Sequence, residues 1–304
     1  MIRARGLTKA FGNHKVLDHI DVDIGRGERV AVIGLNGAGK TTLFRCLLGL
    51  TPFQGNLRVG DADVGHSGRE ARAHIGYVPQ RAPHFDGTLA EMIDFFCRLR
   101  STPIADVHQH LRGIGFEPET HADKPVRALS GGMLQKVLLA LALGSNVSVL
   151  LLDEPTANLD PRARREFLKA LKLVPADTTI LLSSHQLADI EAVTDRVLVL
   201  HEHKFAFTGQ LSELNHQLTD EVALWLDIPE EARSRANTAI EASKHVRGIV
   251  GVNGVVGVRV PGPASADVVH HLRQLGVPIR DFWIERPSVE DLLEALLSGP
   301  DKEQ

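Results

Sequence analysis

The chain has 304 residues, 43% of them hydrophobic and 24% charged, and a formal net charge of -4. These values exclude a disordered chain and fit a globular protein of two domains with a substantial core. With no basic excess, direct nucleic-acid binding is not expected.

Residues 1–33 alternate apolar and polar side chains, as in VLDHIDVDI (Val16–Ile24), the pattern of half-buried strands. ERVAVIG (Glu28–Gly34) is continuously apolar at its centre, as a central parallel strand would be. A glycine-rich turn follows, and TTLFRCLLGL (Thr41–Leu50) reads as a helix. Residues 81–145 carry a helical pattern, opened by Thr88 and Glu91 as a capping box before a helix ending near Arg100. VLLLDEP (Val149–Pro155) and TTILLSSH (Thr178–His185) read as buried strands, with a closing strand near Val197–Leu200. Strands alternating with helices predict an α/β sheet.

The character changes near residues 216–221. Strand-like EVALWLDI (Glu221–Ile228), a helical stretch to about His245, RGIVGVNGVVGVRVP (Arg247–Pro261), a helix at 264–275 and PIRDFWIERP (Pro278–Pro287) predict a small βαββαβ unit over 221–304. Its candidate core is Trp225, Ile228, Val256, Val258 and Leu272, and its polar junction is Asn215–Asp220. Cys46 and Cys97 have no metal spacing and make no disulfide framework, which suits a reducing cytoplasm. The 15 histidines show no metal-site spacing either and read as surface. MIRARGLTKAFG lacks the apolar centre of a signal peptide. The longest apolar stretch, Val137–Leu152, is broken by Gly144, Ser145 and Asn146 and is shorter than the roughly 20 residues of a spanning helix. A membrane role would need another chain to cross the bilayer.

Two contiguous motifs carry chemistry. Gly34, Leu35, Asn36, Gly37, Ala38, Gly39, Lys40, Thr41 and Thr42 match G-x-x-x-x-G-K-[ST], a phosphate-binding loop between a strand and a helix. Glycines let backbone N–H groups wrap a β-phosphate, and the helix adds its positive end. Lys40 would reach the β- and γ-oxygens, and Thr41 would ligate Mg²⁺. Four aliphatic residues lead into Asp153 and Glu154, at the strand end where α/β sheets place ligands. Asp153 would hold Mg²⁺ and Glu154 would polarise the attacking water.

A third motif, Leu129-Ser130-Gly131-Gly132-Met133 followed by LQKVLLALAL, resembles the signature of ABC transporter ATPases. Ser130, Gly131 and Gly132 with a helix N-terminus would form a second anion site. The resemblance implies that this site meets the γ-phosphate of ATP held by a second subunit, in a head-to-tail homodimer or related heterodimer. Met133 stands where the family often has Gln. By the same resemblance, Phe11 stacks on adenine, and Gln80 in YVPQ reaches the Mg²⁺ and water region. Asn158-Leu159-Asp160 lies at the dimer seam, and His185 senses the γ-phosphate.

The resemblance covers residues 1–215. It implies an ABC ATPase domain with a RecA-like subdomain, an antiparallel β subdomain and a helical subdomain at about 81–145. The function expected is MgATP hydrolysis powering translocation by separate integral membrane permease subunits, at the cytoplasmic face of the cell membrane. A groove including Phe85, Phe95 and Phe96 would dock the permease. RPSVEDLLEAL (Arg286–Leu296) resembles the ends of ABC-2-type exporter ATPases and favours export. A soluble ABC ATPase of ribosomes or nucleic acid is the alternative. Ribosomal members usually carry two cassettes per chain, and DNA-repair members insert long coiled coils where this chain has only residues 43–128.

Overall fold

The computed structural model describes residues 1–144, 147–213, 221–244, 246, 248–252 and 255–285. The chain divides into two compact units, Met1–Leu211 and Ser212–Gln304.

The first unit opens with antiparallel strands β1 (Ile2–Phe11) and β2 (His14–Ile24), alternately buried and exposed. With β4 (Gln54–Val59) and β5 (Ala62–Asp63) they form a four-stranded sheet ordered β2-β1-β4-β5. The second sheet contains β3 (Arg29–Ile33), β6 (Ile75–Val78), β7 (Val149–Asp153), β8 (Thr179–Ser183), β9 (Arg196–His201) and β10 (Lys204–Gln210), ordered β10-β9-β3-β8-β7-β6. All its pairs are parallel except β9 with β10. β7 and β8 are buried along their whole length because helices cover both faces. One face packs on Phe44 and Leu47 of helix α1 (Lys40–Leu47), the other on Leu139 and Phe167.

α1 begins at Lys40, one residue earlier than the sequence pattern suggested, because Gly39 takes the left-handed cap position with φ 113°. After the short α2 (Gly68–Ala73) come α3 (Leu89–Arg100) and α4 (Ile104–Gly113). Thr88 and Glu91 form the predicted reciprocal capping box on α3. Leu89, Ile93, Val107 and Leu111 join Val137 of α5 (Gly131–Leu143) in a separate helical core. α6 (Pro161–Lys172) follows β7, and α7 (Leu187–Val193) follows β8. No helix among the described residues is long and apolar enough to cross a membrane.

The second unit runs β11 (Glu221–Asp227), α8 (Glu230–Glu241), β12 (Gly248–Val252), β13 (Val255–Pro261), α9 (Ser265–Gln274) and β14 (Asp281–Glu285). Its sheet is antiparallel, ordered β12-β13-β11-β14, the split βαβ arrangement. Leu224, Leu226, Val256, Val258 and Val260 face Ala236, Ile240, Val268 and Leu272 in one core. Ile228 is buried there too, but Trp225 is not. Strand alternation puts Trp225 on the face opposite Leu224 and Leu226, where it stacks on Trp283 with centroids 6.3 Å apart. The junction Asn215–Asp220, the segment Arg286–Leu296, Ser145 and Asn146 lie outside the described residues.

Candidate functional site

The loop from β3 to α1 bends where only glycine is comfortable. Gly37 and Gly39 have φ of 86° and 113°. A Cβ on Gly39 would sit 2.9 Å from Val16 Cγ1 and 3.1 Å from the Val16 carbonyl oxygen. Asn36, Gly37, Ala38, Gly39, Lys40, Thr41 and Thr42 line one wall of a cleft of about 370 Å³, and Gln80, Glu154 and His185 line the rest. Lys40 is buried, and its Nζ donates to the Gly34 carbonyl at 2.7 Å and lies 3.8 Å from Glu154 Oε1. The cation therefore sits beside the loop and the start of α1, where the first amides have no intrahelical partner.

The parallel register sets the opposite wall. Asp153 pairs with Ser183 across β7 and β8. Ser183 Oγ donates to Asp153 Oδ1 at 2.8 Å and accepts from the Glu154 amide at 2.9 Å. Thr41 Oγ1 donates to Asp153 Oδ1 at 3.3 Å, and the Tyr77 hydroxyl donates to Oδ2 at 3.4 Å. Burial, reinforced by the Asp153 charge, pushes the Tyr77 phenol up to about 12. Thr41 and Asp153 thus present adjacent hard oxygen donors, the ligand type of Mg²⁺.

Glu154 is held with φ 47°, a left-handed conformation costing about 1–3 kcal/mol in a non-glycine residue. Its side chain is nearly buried and turned to His185, whose Nδ1 lies 2.7 Å from Oε2. A carboxylate only accepts, so the imidazole N–H is the donor.

The remaining expected residues lie apart from this cleft. Phe11 is 50% exposed at the end of β1, with Lys9 Nζ 4.5 Å from its ring centroid. Ser130 caps α5, its Oγ accepting from the Met133 amide at 3.3 Å. Gly132 packs so tightly on α6 that an added Cβ would sit 2.6 Å from Ala163 Cβ. Asp160 caps α6 by accepting from the Arg162 and Ala163 amides at 2.9 and 3.0 Å. Gly34 and Leu35 form the loop's base without lining the cleft; at Gly34 a Cβ would meet the Leu200 carbonyl oxygen at 2.6 Å.

A separate apolar groove of about 290 Å³ runs over Tyr77, Pro79, Pro83, Phe96, Leu99 and Leu138. Phe96 lines it, while Phe85 and Phe95 are not part of its lining; Phe95 meets Phe85 in a tilted contact with centroids 5.9 Å apart and Phe96 edge-on at 5.3 Å. Sequence reasoning gave no role to Tyr77 or Ser183, although both stand inside motifs it singled out. It missed the buried Asp189 entirely. Among the described residues, no group of three or more His, Cys, Asp or Glu is arranged to hold a metal.

A glycine loop bearing a buried lysine, between parallel strand β3 and helix α1, with carboxylates at the carboxyl end of β7, one strand removed in the same sheet, defines a P-loop nucleoside triphosphatase. Residues 17–157 match the ABC transporter family. The chain is 36% identical over 222 residues to a Nod factor export ATP-binding protein I of Ralstonia nicotianae, covering 70% of this chain and 68% of that protein. It is 29% identical to a daunorubicin resistance ATP-binding protein, DrrA3, of Streptomyces coeruleorubidus, over 99% of this chain and 96% of that one. Among solved structures, cbiO1 of Clostridium perfringens, part of the ABC transporter complex cbiONQ, superposes with TM-score 0.63 at 28% identity, covering 71% of this chain and 90% of that chain. The chain belongs to the ATP-binding subunits of ABC transporters, a family that hydrolyses ATP to power transport.

Proposed function

We propose that this subunit binds MgATP in the Lys40 cleft, closes on a second copy or a related chain, and drives export through separate membrane permease subunits. The observation that carries this reading is the convergence of Lys40, Glu154 and His185, spaced 3.8 and 2.7 Å apart, around a glycine loop. Lys40 would neutralise β- and γ-phosphate charge. Thr41 and Asp153, with Gln80 on the cleft wall, would hold Mg²⁺, whose charge would offset that of the phosphates. Glu154 would accept a proton from the attacking water, held toward it by His185.

Ser130, Gly131 and Gly132 lie outside the Lys40 cleft, which supports their use on nucleotide bound by the partner. Asp160 would stand at the seam and Phe11 against the adenine. The apolar groove with Phe96 at its edge is suited to a permease segment, at the cytoplasmic face of the membrane. Export is favoured by the two relatives named for Nod factor export and daunorubicin resistance. The second spans nearly all of this chain, the βαββαβ unit included.

Glu154→Gln tests the reading. The amide keeps the shape without the base, so hydrolysis should fall by about 10²–10⁴-fold while ATP binding persists. Size-exclusion chromatography with MgATP should then show a stable dimer. Retained turnover would remove Glu154 from the reaction, and a nucleotide-loaded monomer would count against closure on a second copy.

A further inference from the structure

Asp189 is fully buried on α7, yet its carboxylate gathers groups from three separate segments. Thr156 Oγ1 donates to Oδ2, and Ser184 Oγ donates to the same oxygen at 3.4 Å. Arg164 Nε donates to Oδ1 at 2.6 Å, forming an ion pair with its own side chain 25% exposed. Thr156 and Ser184 are themselves buried. Ser184 Oγ also accepts from the Gln186 amide at 3.0 Å, which fixes the turn into α7.

The sequence positions of these partners matter more than their number. Thr156 stands two residues after Glu154, in the turn between β7 and α6. Ser184 stands immediately before His185, in the turn between β8 and α7. Arg164 sits on the first turns of α6, the helix capped by Asp160. Glu154 and His185 touch at 2.7 Å across 31 positions of sequence. The register of β7 with β8 aligns the strands only as far as Asp153 and Ser183. Beyond that point both backbones leave the sheet, Glu154 in a left-handed conformation.

We infer that Asp189 is a positioning residue for ATP hydrolysis, clamping the Glu154 and His185 turns to each other and to the start of α6. A carboxylate is suited to this because it accepts several bonds at once, and burial strengthens each one. Arg164 compensates the buried charge. Asp189 does not line the Lys40 cleft, and its hydrogen-bond partners Thr156, Ser184 and Arg164 lie outside the loop Gly34–Thr42, so its influence falls on the turnover step and not on ATP binding. The clamp also ties the seam residue Asp160 to the geometry of the hydrolytic pair through α6.

The inference rests on the roles proposed for Glu154 and His185, so Glu154→Gln is assayed alongside. In the full chain, Asp189→Asn should lower kcat about 10- to 100-fold, the scale of a 1 Å misplacement at a reacting centre. The KM and Kd for ATP should stay within about twofold, because the Lys40 wall is untouched. Asp189→Glu, which restores a carboxylate, should recover part of the lost turnover. Thr156→Val removes one donor at nearly constant volume and should give a smaller kcat loss with the same unchanged Kd; it decides the matter if Asp189→Asn does not fold. The clamp is overturned by kcat within twofold of wild type in a folded variant. It is equally overturned by a Kd that rises as much as kcat falls, the mark of general loosening. Turnover by Glu154→Gln would sink the proposed catalytic roles. Normal turnover by Asp189→Asn beside an inactive Glu154→Gln would sink the clamp alone.

Discussion

Helices α1 and α5 of the first unit both start beside glycines, α1 after its cap Gly39 and α5 with Gly131, and both leave amides without intrahelical partners at their N-termini. α1 opens beside Lys40, a buried cation with Glu154 3.8 Å away, inside a cleft. α5 opens at Ser130 and Gly131, both exposed, and a Cβ added at Gly131 or Gly132 would meet the Asn158 carbonyl oxygen and the Leu159 and Ala163 side chains. The first terminus has the charge and enclosure to hold a triphosphate by itself. The second has amides and a hydroxyl, enough to complete an anion site whose cation and base are supplied elsewhere. The same local device thus serves as a whole site in one place and, under the proposed arrangement, as half of a site in the other.

Removing the cation should erase that difference. Lys40→Ala leaves α1 with little more than α5 has, and ATP affinity and turnover should each fall by about 10²-fold or more. Nucleotide titration and steady-state ATPase assays on the purified chain measure both. ATPase activity close to wild type would mean that the Lys40 cleft is not the hydrolytic site.

The half-site character of α5 is tested by complementation. Ser130→Arg fills the exposed N-terminus with a bulky side chain and should block hydrolysis while leaving the Lys40 cleft able to bind nucleotide. Mixed with Lys40→Ala, it should return roughly a quarter of wild-type turnover if the two chains pair at random in a two-fold dimer. Each heterodimer then keeps one intact composite site. No recovery at any mixing ratio would argue that a homodimer does not share its sites.

The smallest expected effect separates two adjacent glycines. A Cβ on Gly131 would make ordinary contacts at 3.5 Å with Asn158 and Leu159, whereas one on Gly132 would come within 2.6 Å of Ala163 Cβ. Gly131→Ala should therefore leave stability unchanged, while Gly132→Val pushes α5 off α6 at a cost of about 1–3 kcal/mol. Denaturant unfolding followed by circular dichroism measures the contrast. Equal midpoints for the two variants would mean that α5 is free to shift on α6.

Much of this molecule is legible in contiguous sequence. Residues Gly34–Thr42 specify their own loop, because glycine conformations and a helix start are local properties. The four aliphatic residues before Asp153 declare a buried strand with carboxylates at its end. Thr88 and Glu91 form their capping box within four residues. Membership of the ABC family followed from such motifs and agrees with the comparisons.

What sequence alone left undecided depends on register and on distance along the chain. Trp225 looked like core because hydrophobicity is read without knowing which face a strand turns inward. The pairing of β11 with β13 and β14 put it on the other face, against Trp283. Tyr77 and Ser183 reach Asp153 only because β6, β7 and β8 lie side by side in parallel. Asp189 and Arg164 come from helices α7 and α6, Thr156 and Ser184 from two separate turns, with no shared motif, and only tertiary packing makes them one hydrogen-bonded group. Backbone conformation and helix caps are settled by neighbours in sequence. Which side chains share a buried carboxylate is settled by how the strands and helices stack, and no local pattern encodes that.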